Sequence, residues 1–211
     1  MKKSDCEYIV YGKPSIYSTA KIVQIGDYSK FVINDKTIIG DYAFIALNEF
    51  YMHHGAQIAP HACLSGGGKI VMFSNSVVGF GAQLITGTDT PKGKFMCEAA
   101  SDKERKVIRG SITLKPGAYV GSGAIICVSS KKQDIIIGHN SVVGAGTYLD
   151  ESVPDNTIVH PVQNLLWSAR TAVDLTCPVC GQKMTFIPGS ITVCIYCKRL
   201  IPYADAIKKN K

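Results

Sequence analysis

A six-residue period runs through the middle of this chain, and a fixed short period constrains architecture more than any local propensity does. The segments Ile39-Gly40-Asp41-Tyr42-Ala43-Phe44, Ile58-Ala59-Pro60-His61-Ala62-Cys63 and Val78-Gly79-Phe80-Gly81-Ala82-Gln83 share one pattern. An aliphatic residue comes first, Gly or Ala second, and a small residue four places after the first. Ile25 to Lys30, Val120 to Ile125, Ile137 to Val142 and Val143 to Tyr148 continue it. The aliphatic positions group in threes: Met52, Ile58, Leu64; Met72, Val78, Leu84; Leu114, Val120, Ile126; Ile137, Val143, Leu149.

Three hexads form one coil of three short strands and three tight corners, so stacked coils make a triangular prism. Large aliphatics point inward onto the coil below, and small residues occupy the corners, where Gly permits conformations that strain a side chain. Composition agrees: 24 Ile and 17 Val against 9 Leu, with 20 Gly, favour all-β structure rich in turns. With 46% hydrophobic and 18% charged residues, a disordered chain is excluded, as is a coiled coil.

Departures from the period mark insertions. Two residues are added between Met52 and Met72, and five between Leu114 and Ile137, at about Ser129 to Gln133. The largest departure lies between Leu84 and Leu114, a step of 30 where 6 is due, so 24 residues are extra. This polar segment, 88–111, is expected to be a lid loop, because long loops in compact repeats are commonly kept for function.

No apolar run reaches the ~20 residues of a membrane-spanning helix, and the amino terminus has no apolar signal core. A cytoplasmic protein with no membrane partner is expected. The net charge of +7 comes without a basic helix or arginine-rich block, so no nucleic-acid partner is expected.

These hexads resemble the acyltransferases of the left-handed β-helix, over roughly Ile22 to Leu166. Within that family, the chain is similar to bacterial sugar O- and N-acetyltransferases at three stretches. Leu64-Ser65-Gly66-Gly67-Gly68-Lys69-Ile70 resembles their glycine-rich bend, and Ile85-Thr86-Gly87-Thr88-Asp89 the start of their lid. Val143 to Gly146 with Asp155 to Val159 resembles their last coil. The resemblance implies left-handed winding, a homotrimer with sites between prisms, and transfer of an acetyl group from acetyl-coenzyme A to a sugar hydroxyl or amine.

Such transfer needs a general base, oxyanion donors and a groove for the pantetheine arm. Histidine meets the first need with little tuning. Counting from Met52, His53 and His54 fall at the second and third hexad places, outside the prism at a corner, so His54 and then His53 are the expected base. His61 ranks behind them. The family's loop histidine, in a Gly-His-Pro pattern, is replaced here by Thr88 and Asp89, which leaves Asp89 to orient a histidine or bind a sugar hydroxyl. Lys131 and Lys132 are candidates for the coenzyme phosphates, as are Arg105, Lys106 and Arg109. The resemblance adds Gly121 and Gly144 along the coenzyme groove. Val159-His160-Pro161-Val162 stands where many relatives have Gly-Asn-Pro-Ala.

Two other readings use the same scaffold. γ-Class carbonic anhydrases hold zinc with three histidines, but here only His54 matches their pattern, with Ala59 where the next is due. A non-catalytic trimeric assembly module displaying the carboxyl-terminal unit is the other.

That unit is marked by Cys177-Pro178-Val179-Cys180 and Cys194-Ile195-Tyr196-Cys197, two C-x2-C pairs separated by thirteen residues. Four thiolates on tight turns suit structural zinc, with iron the minor alternative. A segment this short needs the metal for stability. A hairpin is expected between Thr185-Phe186-Ile187 and Ser190 to Val193, giving a zinc ribbon. Cys6, Cys63, Cys97 and Cys127 are read as free thiols. The expected organisation is a lead-in over 1–21, the β-helix over 22–162, a short helix or linker over 163–175, the ribbon over 176–203 and a basic tail over 204–211.

Overall fold

Each coil of the prism contributes one strand to each of three faces, and strands of successive coils lie in register. A computed structural model describes residues 6–101, 103–161, 173–186, 191–194, 196–202, 204–205 and 208. Contacts divide the chain into two units, 1–162 and 163–211. In the first, face one stacks Glu7–Val10, Lys30–Ile33, Glu49–Met52, Lys69–Met72, Ser111–Leu114 and Asp134–Ile137 as a six-stranded parallel sheet. Face two is a seven-stranded parallel sheet from Ser15–Ile16 to Ile158–Val159, and face three a six-stranded one from Lys21–Gln24 to Tyr148–Leu149. The unit is therefore a parallel β-helix of about six turns.

The inward positions read from the period pair with one another. Met52, Met72, Leu114 and Ile137 form one stack; Ile58, Val78, Val120 and Val143 a second; Leu64, Leu84, Ile126 and Leu149 a third. All twelve are buried. Face one adds a second inward row, Phe31, Phe50, Ile70, Ile112 and Ile135, fully buried, with the Phe31 and Phe50 rings edge-on at 5.6 Å. The small fifth-place residues Ala43, Ala62, Ala82 and Ala124 are buried at the corner between faces two and three, because the chain turns there with no room for more.

Every length change falls at one corner, between face three of one coil and face one of the next. The connecting segments are 25–29, 48, 66–68, 86–110 and 128–133. The other two corners keep constant length, and each holds a residue with positive φ in nearly every coil.

Several expectations are corrected. The described prism reaches back to Glu7, not to 22: Glu7–Val10 and Ser15–Ile16 pair in parallel with Lys30–Ile33 and Ile38–Ile39, so these strands of the expected lead-in belong to the prism. With no coil beneath, the first coil leaves Tyr8, Val10 and Ile16 partly open to solvent, and its sequence need not show the period. Ile25 is an exposed connector residue, while Ile22 holds the inward place. The 88–111 segment is not simply a loop: Gly87–Asp89 pairs antiparallel with Val107–Arg109, and Ser111 belongs to the prism.

In the second unit, Val173–Thr176 pairs antiparallel with Lys183–Phe186, and Ile191–Val193 with Leu200–Pro202. Among the described residues these are two hairpins, each with a C-x2-C pair at its turn; residues 187–190, where the expected hairpin turns, lie outside the described residues. Residues 173–175, expected in the linker, are strand, and 163–172 lie outside the described residues.

Candidate functional site

The variable corner builds a cleft lined by charged side chains. Gly66 and Gly67, with φ of +104° and +67°, turn the chain tightly, and a Cβ on Gly66 would collide with the Gly87 backbone nitrogen, so the bend can lie flat beneath the lid's root. Thr86 stitches the two together: its hydroxyl donates to the Ser65 carbonyl at 2.8 Å and accepts from the Gly68 amide at 3.0 Å. Above this bend the lid stem carries Asp89, whose two carboxylate oxygens accept from Arg105 Nε and an Arg105 terminal nitrogen, each at 2.9 Å. The pair is 16% and 18% exposed, and Arg105 holds the Asp89 carboxyl below the usual carboxylate range. Arg109, on the facing strand Val107–Arg109, lies 3.4 Å through its Nε from where a Gly67 Cβ would stand. Together they wall a cleft of about 330 Å³.

Lys131 and Lys132 share this edge, one coil further along. Both are exposed, and their amides are held by the Ser129 hydroxyl at 3.3 Å.

His53 and His54 occupy a different edge, between faces one and two. The His53 ring stacks on Phe73, one coil on, at 4.9 Å and 11°. His54 is exposed beside Asp35. The Lys13 amide donates to Asp35 at 2.9 Å and holds its carboxyl below the ordinary range, with Lys36 and then His54 adding to the effect. Further along, Asp155 accepts from the His139 amide at 2.8 Å and Lys115 Nζ at 3.0 Å.

The third edge, between faces two and three, carries His61, Gly121 and Gly144. A Cβ on Gly121 would lie 2.5 Å from the Ala145 nitrogen, and one on Gly144 2.9 Å from the Val159 carbonyl oxygen. These glycines have a packing role of their own, letting successive coils approach.

The sequence-derived residues therefore fall on three edges of one prism. Asp89 with the lysines occupies one, the histidine pair another, the glycines the third. Asp35 and Thr86 have no role in the sequence-based expectation, whereas Arg109 stands there among the phosphate candidates. Asp35 was legible, since it stands 19 residues before His54, close to one coil; the Arg109 position depends on the lid pairing, which has no period.

In the second unit the four cysteine sulfurs lie within 4.8 Å of one another, and no other such cluster occurs among the described residues. Cys177 and Cys197 are 4.0 Å apart, and Cys180 and Cys194 3.6 Å. Tetrahedral zinc with bonds of about 2.3 Å needs sulfurs about 3.8 Å apart, so the residues fit the ion. The two turns are alike: Gly181 donates to the Cys177 carbonyl and Lys198 to that of Cys194, both residues with positive φ. Amides of Cys197 and Tyr196 aimed at the Cys194 sulfur bring its thiol down to about 6, favouring the thiolate a metal requires.

No family model matches the sequence, and no curated protein matches it. Solved structures do match. A single-residue variant of AntD, an N-acyltransferase from Bacillus cereus in complex with dTDP-4-amino-4,6-dideoxyglucose and coenzyme A, is 23% identical with a TM-score of 0.62, over 73% of this chain and 81% of its own. A further variant of it, in complex with dTDP and coenzyme A, gives 22% and 0.61 over 74% and 80%. The likeness lies in the fold, which this chain shares with AntD over about three quarters of its length. The hexapeptide-repeat acetyltransferase VCA0836 from Vibrio cholerae also matches, at 16% identity and a TM-score of 0.41 over 72% of this chain and 66% of its own.

Proposed function

We propose that this protein transfers an acyl group from a coenzyme A thioester, acetyl-coenzyme A in the simplest case, to a hydroxyl or amine of a nucleotide-linked sugar. The observation that carries the reading is the cleft in which the Gly66–Gly68 bend, the Asp89–Arg105 pair and Arg109 meet beneath the lid stem, on a prism shared with an acyltransferase. In the reaction, His54 takes the proton from the attacking oxygen or nitrogen as that atom bonds to the thioester carbon. The carbon–sulfur bond then breaks, and the departing sulfur takes that proton back from His54 to leave as the coenzyme A thiol. His53 is the second candidate base. Arg109 and Lys131 with Lys132 supply positive charge for phosphates.

Because these groups lie on different edges, one active site needs edges from two copies, which favours a homotrimer. Glu7, Lys30, Glu49 and Lys69 alternate in charge along face one, with Glu7–Lys30 at 2.7 Å and Glu49–Lys69 at 3.0 Å. The same face turns Ile136 out to solvent, and face two turns out Ile38, Tyr119 and Ile158, so both offer apolar side chains to a second copy. Cys177, Cys180, Cys194 and Cys197 would hold zinc, which supplies cross-linking of the two hairpins and no catalytic step, since four thiolates close its shell.

The test is release of coenzyme A thiol and product formation with acetyl-coenzyme A against a panel of nucleotide amino sugars and simple glycosides. Turnover that His54→Ala abolishes is the expected result. No binding of coenzyme A in a titration removes the reading, and turnover intact in both His53→Ala and His54→Ala removes the choice of base.

A further inference from the structure

The edge between faces two and three places one left-handed residue in each coil from the second to the sixth: Tyr42, His61, Gly81, Gly123 and Gly146, with φ of 56°, 60°, 60°, 65° and 69°. Three are glycine, as this backbone prefers. The other two carry large rings in a conformation that L side chains resist. Glycine at the same place in the next three coils shows that the fold itself asks for no ring there.

Burial does not compensate the strain. Tyr42 is 61% exposed and His61 is exposed, yet their rings stack on each other at 5.2 Å and 13°. The turns beneath are braced. The Thr19 hydroxyl donates to an Asp41 carboxylate oxygen at 2.7 Å and accepts from the Tyr42 amide at 3.2 Å, and the His61 amide donates to the Asp41 carbonyl at 2.9 Å. Strained residues held in place by their surroundings and turned toward solvent point to a ligand.

The same corner adjoins a cleft of about 240 Å³ whose walls include Tyr17, Ile38, Pro60 and Phe80. Phe80 is 61% exposed, so a third ring stands free one coil beyond His61. Gln57, also in the wall, offers a donor and an acceptor side by side, which suits the edge of a base. Asp41, the one charged residue in the wall, disfavours a phosphate inside.

We propose that this aromatic corner binds the base of a nucleotide, the Tyr42–His61 stack and Phe80 giving flat faces and Gln57 reading the edge, with the phosphates directed out of the cleft. This rests on the acyl-transfer reading, which offers two sources of such a ring: the sugar nucleotide and the adenine of coenzyme A. We assign it to the sugar nucleotide, because Gly121 and Gly144, the candidates along the coenzyme groove, lie two or more coils beyond His61 on this edge.

The experiment uses the full-length protein and titrates dTDP, UDP and coenzyme A separately onto wild type, Tyr42→Ala, Phe80→Ala and His61→Gly. The last variant removes a ring and relieves backbone strain together. Its Tm is expected to hold or rise and its oligomeric state to stay the same, while affinity for dTDP or UDP falls about ten- to hundredfold, the range of one base–aromatic stack. Coenzyme A affinity is expected to stay constant. A loss confined to coenzyme A overturns the assignment to the sugar nucleotide and moves the ring to adenine. Unchanged binding of all three, or a lowered Tm with a dissociated oligomer, overturns the proposal and makes the corner a packing surface. Nucleotide binding that depends on these rings without any acyl transfer would remove the reading of the reaction and leave the base site standing.

Discussion

At Gly55 and Gly117 the backbone turns with φ of +70° and +69°, and a Cβ at either would collide with the side-chain oxygen of an asparagine in the next coil, Asn75 or Asn140. Glycine in one coil makes room for asparagine in the next, so the column is coupled from coil to coil. Gly117→Ala is expected to lose about 1–3 kcal/mol, from the left-handed conformation and the clash together, read by denaturant unfolding. Asp89 makes a prediction about pH. Its folded pKa is depressed by Arg105, so the stabilisation is present above the unfolded value of about 3.9 and disappears as pH falls through the lower folded one. Protease resistance of the lid should hold from pH 7 to about 4 and fall below it, whereas Asp89→Asn should be cleaved at all these pH values. The αL asparagines and glycines were legible as corner residues; that Asp89 is spent on Arg105 was not, because the partner comes 16 residues later with no pattern linking them.

Among the elements, the three inward stacks were readable to the residue, since a parallel coil forces every sixth aliphatic onto its counterpart in the next turn. Ile58→Ala in the second stack should cost about 2–5 kcal/mol, while Ala82→Val at the buried corner should cost about 1–3 kcal/mol by overpacking, both measured as shifts in chemical denaturation. The lid stem escaped the period because antiparallel pairing of Gly87–Asp89 with Val107–Arg109 depends on a fold-back, not on spacing. The first coil escaped it for an end effect: its inward residues face no lower neighbour, so apolar identity there is only weakly required. In the carboxyl-terminal unit the pairings of Val173–Thr176 with Lys183–Phe186 and of Ile191–Val193 with Leu200–Pro202 go beyond the spacing, since short alternating strands satisfy several hairpins and only the position of each C-x2-C turn selects these two. Replacing 90–106 by a short turn should leave the Tm of the prism in place and abolish turnover, if the lid serves the site and not the fold.

For the whole molecule, two units stabilised by different means should fail separately. A strong chelator should unfold the hairpins of 173–202, whose described buried cluster is Cys177, Cys194 and Ile201 with Leu175, Met184 and Cys197 packed on it, while the β-sheet signal of the prism persists to its own Tm. Elemental analysis is expected to give one zinc per chain before chelation. Assembly can be tested through function: mixed and reassembled His54→Ala and lid-deleted chains, each inactive alone, should recover turnover if base and lid meet between copies. The six-residue period by itself determined the β-helix, its inward stacks and the corners that need small residues, because each follows from repeating one local geometry. The cysteine spacing likewise determined the four sulfurs. Tertiary structure alone decided that the histidine pair, the lid cleft and the glycine groove occupy three separate edges. An edge is set by where each residue falls within a coil and by insertions accumulated between them, and the lid's own pairing is a long-range contact that no local pattern encodes.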